Sequence, residues 1–158
     1  PYGGIKSMLP TGAVFSPNGR WVAYAMRGEG RLLSALFVQP YPATGAVLPI
    51  SPNTEDGHHP IWSRDGKEIL YTAGPGLFVA LAVNTAGPTF SFGPAPAFTR
   101  NFANLPPSNE RPFDTWKNAK GELVIVGLSA SGMDPSRPER IENRVVLNWF
   151  EELKARVK

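Results

Sequence analysis

The two histidines of this chain, His58 and His59, are adjacent, and their rings are its best candidates for binding a metal or a ligand. Successive residues of a regular strand point to opposite faces, so the pair can share one metal ion only where the backbone is irregular. They precede Pro60-Ile61-Trp62, in a loop that enters a predicted strand. We therefore predict no metal site, and take the two rings as the first candidates for ligand contact.

Other residues that could do chemistry lack the surroundings that the chemistry needs. The serines within residues 127–131 have neither the second glycine nor the following helix of a nucleophile elbow. The pairs Gly28/Gly30 and Gly74/Gly76 do not continue into the Gly-Lys-Ser/Thr of a phosphate loop. No two carboxylates have a defined spacing, and the chain has no cysteine. The sequence therefore predicts neither catalytic residues nor a cofactor.

A repeated hairpin positions these side chains. Residues 15–24 read Phe-Ser-Pro-Asn-Gly-Arg-Trp-Val-Ala-Tyr, and residues 62–71 read Trp-Ser-Arg-Asp-Gly-Lys-Glu-Ile-Leu-Tyr. Asn-Gly and Asp-Gly favour short hairpin turns, and the flanking aromatic and β-branched residues favour strands. A weaker third copy at residues 113–126 has one extra residue between Trp116 and Gly121. Self-similarity at this period is typical of repeat architectures.

Each of the first two hairpins continues into two more short apolar segments. These lie at residues 36–40 and 46–50 after the first hairpin, and at 77–83 and 94–99 after the second. The pattern predicts an all-β chain of about three four-stranded antiparallel β-propeller blades, which amounts to part of a propeller. The predicted blades span roughly 11–52, 57–100 and 111–150. Apolar residues at i, i+3 and i+7 predict a short helical cap at 151–158.

The four tryptophans are interpreted as packing residues rather than as a carbohydrate platform. Trp62 and Trp116 occupy the repeat position that Phe15 holds in the first copy. Trp21 begins the second strand of its unit, and Trp149 ends the last predicted strand. Large aromatic side chains at such positions are expected to bury their surface between or within blades.

The hairpin motif, the Phe37-Val38-Gln39-Pro40-Tyr41-Pro42 segment and the terminal Val-Val-Leu-Asn-Trp followed by Glu-Leu-Lys resemble the C-terminal part of TolB-like, WD40-like β-propellers. The resemblance covers residues 11–158. It implies a bacterial propeller sensor region, such as those attached to serine/threonine kinases, with a periplasmic or extracellular location. Propellers of this family have six or more blades, whereas this chain is predicted to have about three.

Charge and hydropathy narrow the choice of partner. The formal net charge is +3, but acidic and basic residues are mixed along the chain, and no nucleic-acid-binding motif coincides with the basic ones. No apolar run is long enough to cross a membrane. We therefore predict neither nucleic-acid binding nor membrane insertion.

The bare lateral faces of an incomplete propeller predict self-association. Two chains could complete one ring, or the three blades could belong to a longer protein. Exposed apolar faces of this kind usually become interfaces.

A binding site is expected where loops meet on one rim of the predicted propeller. The loops that enter the blades contribute His58, His59 and Arg111, and the loop between the second and third strands contributes Arg27 and Glu29. The chain is predicted to be a non-catalytic scaffold that binds a protein or a small ligand. The alternative is an accessory propeller of a prolyl-oligopeptidase-like hydrolase, whose catalytic domain lies elsewhere.

Overall fold

The computed structural model describes residues 2–8, 12–52, 54–74, 77–95, 97–99, 111 and 113–127. Within these ranges the protein is all-β, with antiparallel sheets and a single 3-10 turn at Tyr2–Gly4. The strands are β1 (Ala13–Phe15), β2 (Trp21–Met26), β3 (Ala35–Pro40), β4 (Leu48–Pro49), β5 (Gly57–Trp62), β6 (Glu68–Ala73), β7 (Leu77–Asn84), β8 (Ser91–Phe92), β9 (Ala97–Thr99), β10 (Phe113–Lys117) and β11 (Leu123–Gly127).

The first sheet contains β1 to β4 in chain order, which is the predicted four-stranded unit. Its hairpin turn is held by side chains as well as by backbone. The Ser16 hydroxyl donates to Asn18 Oδ1 at 2.7 Å and accepts the Trp21 N–H at 3.0 Å. Gly19 has a φ of 69°, a conformation that glycine adopts at little cost. Ser63, Asp65 and Gly66 repeat this turn in the second unit.

The second sheet follows the order β5-β6-β7, and two short strands share its fourth position. β8 pairs with the last residues of β7, and β9 pairs with its first residues. Pro94 lies between these two strands and has no N–H to donate. The predicted fourth segment at residues 94–99 is therefore only the second half of a divided edge strand.

The third unit is described as one hairpin, β10–β11, with Gly121 at its turn. The remaining strands of the predicted 111–150 blade, together with Trp149 and the helical cap at 151–158, lie outside the described residues. The described sheets do not close into a ring, so the number of blades remains a prediction.

The main core lies between the first and second sheets. Alternate residues of β2 face the second sheet, since successive strand residues point to opposite faces. The core consists of Trp21, Ala23, Ala25, Leu36, Val38 and Ile50 from the first unit, with Trp62, Ile69, Tyr71, Val79, Leu81 and Val83 from the second. Units of the repeat thus stack face to face.

The structure corrects the predicted equivalence of Trp62 and Trp116. Gly66 N–H donates to the Ser63 carbonyl and Gly121 N–H to the Asn118 carbonyl, so Asn118 takes the place of Ser63. The residue before each turn is then Trp62 in one unit and Lys117 in the other. One step along a strand changes the face. Trp116 is accordingly 49% exposed, in contrast to the buried Trp62.

A second correction concerns the lateral faces. Both end faces of the stack were expected to be bare, but residues 2–8 cross the outer face of the first sheet. The Tyr2 hydroxyl donates to the Pro40 carbonyl, and at the other end Met8 N–H donates to the Arg27 carbonyl at 3.1 Å. Much of this face, including Val22 and Tyr24, is buried.

Candidate functional site

His58 and His59 lie within β5 rather than in the loop before it, and both are buried. The pairing of β5 with β6 shifts between His58 and Ile61, which marks a bulge, and His59 has a φ of 53°. A bulge re-aims side chains, and a positive φ is uncommon for residues other than glycine. This is the irregular backbone that allows adjacent histidines to meet on one side.

The two imidazole rings are in direct contact. Their Nδ1 atoms are 2.5 Å apart, and the rings meet edge to face with centroids separated by 4.6 Å. Thr72, opposite His58 on β6, donates its hydroxyl to the His58 carbonyl at 2.8 Å, and the same oxygen lies 2.5 Å from His58 Nδ1. Thr72 was not singled out from the sequence, because only the strand register places it beside the ring.

The two Nδ1 atoms lie within hydrogen-bond distance of each other, closer than the roughly 3.3 Å that separates two nitrogens on one tetrahedral zinc ion. Among the described residues, no group of three His, Cys, Asp or Glu side chains is arranged to hold a metal. The contact is a hydrogen bond if one of the two Nδ1 atoms carries a proton and the other accepts it. If both carried a proton, two N–H groups would face each other and repel.

The loop that carries Arg27 and Glu29 connects β2 to β3 and is tied to the entry of β5. Ser34 N–H donates to Asp56 Oδ1 at 2.8 Å, and Gly57 N–H donates to the Ser34 carbonyl at 3.0 Å. Glu29 is exposed and Arg27 is half-buried. The structure thus joins two of the loops predicted to form the rim, through Asp56, which is not among the predicted site residues.

Arg111 is exposed and contacts its own strand. Its Nε donates to the Phe113 carbonyl at 2.9 Å, and its guanidinium lies 3.9 Å from an Asp114 carboxylate oxygen. Of the five predicted site residues, the structure shows direct contact between His58 and His59. Arg27, Glu29 and Arg111 occupy loops or strand starts without converging on a shared contact that the structure describes.

A further polar pair lies inside the first interface between sheets. The Tyr71 hydroxyl donates to Glu55 Oε2 at 3.2 Å. Burial raises the pKa of Tyr71 well above its usual value, and the neighbouring Glu55 carboxylate raises it further. The phenol therefore stays protonated and acts as a fixed donor that anchors the loop before β5.

No helix of the described residues has the length and apolar character needed to span a membrane.

Comparison with known proteins finds a distant similarity. The chain is similar to the putative tricorn protease homolog 2 of Streptomyces coelicolor, with 26% identity over 145 residues. The matched region covers 90% of this chain and 11% of that protein, so the chain spans a small part of the relative. No family model matches the chain, and no solved structure gives a significant match.

Proposed function

We propose that this chain is a non-catalytic recognition module built from TolB-like, WD40-like propeller repeats, as part of a larger propeller or by assembling into one. The supporting observation is that two successive antiparallel sheets, opened by equivalent hairpins, stack face to face. Such sheets are rigid supports on which loops of variable sequence can be presented.

The binding surface in this proposal is the rim formed by the β2–β3 and β4–β5 connections. Because strand direction alternates, these connections lie at the same end of the sheets. The hydrogen bonds of Ser34 to Asp56 and Gly57 fix one loop against the other. The exposed Glu29 and the half-buried Arg27 of the same loop offer charges of both signs, which suits a polar peptide or a charged small ligand.

Peptide display on the immobilised chain tests this proposal. Sequences enriched on the wild-type chain are compared with those retained by Arg27→Ala, by Glu29→Ala and by the double variant. The matched control is Arg20→Ala/Lys67→Ala, at the turns of the opposite end. We expect the rim variants to lose the enriched peptides and the control to keep them. Equal binding by all variants would contradict the rim as a binding surface.

A second candidate is an accessory propeller segment of a peptidase. The observation that favours it is the similarity to a protein named as a tricorn protease homolog, in which the matched region is only 11% of the length. Determining the coding sequence on both sides of residues 1–158 distinguishes the candidates. A peptidase domain in the same reading frame supports the accessory segment, whereas a kinase or regulatory domain supports the recognition module.

A further inference from the structure

Each unit of the stack has two different faces. The face that we call the front carries the residue before the hairpin turn and packs on the preceding unit, as Trp62, Ile69 and Tyr71 do. The opposite face, the back, packs on the following unit, as Ala23 and Ala25 do. Aligning the hairpin turns of the units assigns a front face and a back face to each of them in the same way.

The front face of the first sheet has no preceding sheet among the described residues, and a short segment covers it instead. This N-terminal strap, residues 2–8, lies over the side chains equivalent to the second unit's core residues. The Tyr2 ring lies 5.7 Å from that of Tyr41, and the Arg27 N–H donates to Ser7 Oγ at 3.1 Å. Phe15, at the edge of the face, is still 57% exposed.

The front face is chemically adapted to the strap. Gln39 stands where the second unit has Leu81, since these residues pair with Val22 and Ile69 respectively. Its Nε2 donates to the Tyr24 hydroxyl at 2.8 Å. Gly3, at a φ of 56°, lies so close that an added Cβ would be 2.2 Å from Gln39 Oε1. Only glycine permits this approach of the strap to the sheet.

The back face of the β10–β11 hairpin is exposed and largely apolar, with Asp114 beside Val126 as its charged residue. It presents Trp116, Val124 and Val126, of which Val126 is 67% exposed. The turn alignment makes Val124 equivalent to Ala23 and Val126 equivalent to Ala25, and both alanines are buried by the next sheet. The hairpin thus offers the kind of surface on which a front face sits elsewhere in this molecule.

We propose that the strap prevents two copies of this chain from docking, because it covers the front face of the first sheet. When the strap leaves, the front face of the first sheet binds the hairpin back face of a second copy, head to tail. The repeat indicates that the hairpin of a second copy is the partner, because the interface between the first and second sheets also joins a back face to a front face. Contacts of this type join unlike patches and generate rings or open chains.

The test uses two adjacent glycines, Gly3 and Gly4, that both have a positive φ. A Cβ on Gly4, unlike one on Gly3, meets nothing within 4 Å. Gly3→Leu should therefore expel the strap, and Gly4→Leu is the matched control for backbone strain. By light scattering over a concentration series, the wild-type chain and Gly4→Leu should remain single chains. Gly3→Leu should reach at least about twice that mass if docking is head to tail.

A second substitution identifies the surface involved. Val126→Asp, added to Gly3→Leu, should return the particle to a single chain, whereas Leu32→Asp, at an exposed residue of the β2–β3 loop, should not. A peptide of residues 1–8 in excess should also reverse the association. If Gly3→Leu does not fold, Tyr2→Ala removes the contacts to Pro40 and Tyr41 more gently, and the same rise in mass is expected.

Three results would overturn the proposal. One is a folded strap variant, with native circular dichroism, that remains a single chain at all concentrations. The second is association that Val126→Asp leaves unchanged, which would indicate unspecific aggregation. The third is association of Gly4→Leu to the same extent as Gly3→Leu. None of these results bears on ligand binding at the rim, so the proposed function is tested separately.

Discussion

The two interfaces between successive units have equivalent backbones but opposite chemistry. Between the first and second sheets, Trp21 and Trp62 both contact Phe90, with ring centroids 5.3 and 6.3 Å from it. Between the second sheet and the hairpin, the equivalent positions hold Glu68 and Lys117, joined by an ion pair at 3.1 Å. An aromatic contact in this second interface joins Phe78 to Phe113, with ring centroids 4.6 Å apart.

The two interfaces therefore share one backbone arrangement but differ in the contacts that stabilise them. Buried aromatic side chains each contribute a large apolar area, whereas partly exposed ion pairs contribute about 0–1 kcal/mol. The Trp62 indole also donates to the Val14 carbonyl at 3.2 Å, which fixes the first interface in register. We therefore expect the first two sheets to act as one stable body and the hairpin to separate from it more readily.

The largest effect is expected for Trp62→Ala. It removes the aromatic contact and the hydrogen bond to Val14, and should lower the free energy of unfolding by about 3–5 kcal/mol. The matched control is Trp116→Ala, whose side chain is half exposed and stacked under Arg64, and which should cost less than about 1 kcal/mol. Urea unfolding measures both. Similar losses for the two tryptophans would show that the interfaces are not as unequal as their chemistry indicates.

Thr72→Val is expected to have the next largest effect. The first sheet has Ala25 at the equivalent position, so the polar cluster with His58 belongs to the second interface alone. Valine keeps the shape but leaves the buried imidazole and carbonyl of His58 without the hydroxyl, at a cost of about 1–3 kcal/mol. Thr89→Val, at an exposed loop position, is the control for the substitution itself. An unchanged urea midpoint would mean that the cluster does not stabilise the fold.

A double-mutant cycle measures the coupling free energy of the Lys117–Glu68 ion pair, which stands at the positions equivalent to Trp62 and Trp21. With Lys117→Met and Glu68→Gln, singly and together, the coupling free energy should be about 0.2–1 kcal/mol and should fall as salt is added. The corresponding cycle of Trp21→Ala and Trp62→Ala should give a larger, salt-independent coupling. A Lys117–Glu68 coupling that exceeds the tryptophan coupling would reverse the order of the two interfaces.

The smallest effect is a pH dependence at Asp65, at the edge of the second interface. The Ser63 hydroxyl, with the Lys67 N–H and the Lys117 ammonium, lowers the pKa of Asp65 to about 2. A carboxyl with a lowered pKa stabilises the fold above the unfolded-state value of 3.8, and this contribution is lost as the pH falls towards 2. Asp65→Asn should flatten the decline of the urea midpoint over that range. Ser63→Ala should raise the Asp65 pKa in a carboxyl-carbon NMR titration, and no change would remove the assigned cause.

Much of the fold was predictable because turn chemistry and alternation are local. The Asn-Gly and Asp-Gly turns, the strand order of the first sheet and the burial of Trp21 and Trp62 follow from them. Three features were not predictable from such patterns. The third hairpin keeps its backbone turn while its aromatic residue shifts by one position, which sends Trp116 to the other face.

The contact between the histidines was a second unpredicted feature, and the strap over the first sheet was the third. A sequence does not show a bulge or the positive φ of His59, because both depend on how β5 fits against β6. The strap was missed for a related reason, since it is held by the sheet it covers and has no periodicity of its own.

The divided fourth strand of the second sheet has a consequence for solubility. Edge strands expose unpaired N–H and C=O groups, which can template strand addition by other chains. Here that edge is broken into a two-residue and a three-residue strand on either side of Pro94, and β4 of the first sheet is two residues long and ends in Pro49. Neither edge can support a continuous ladder. These two edges should therefore resist strand addition by other chains even when the apolar faces are exposed.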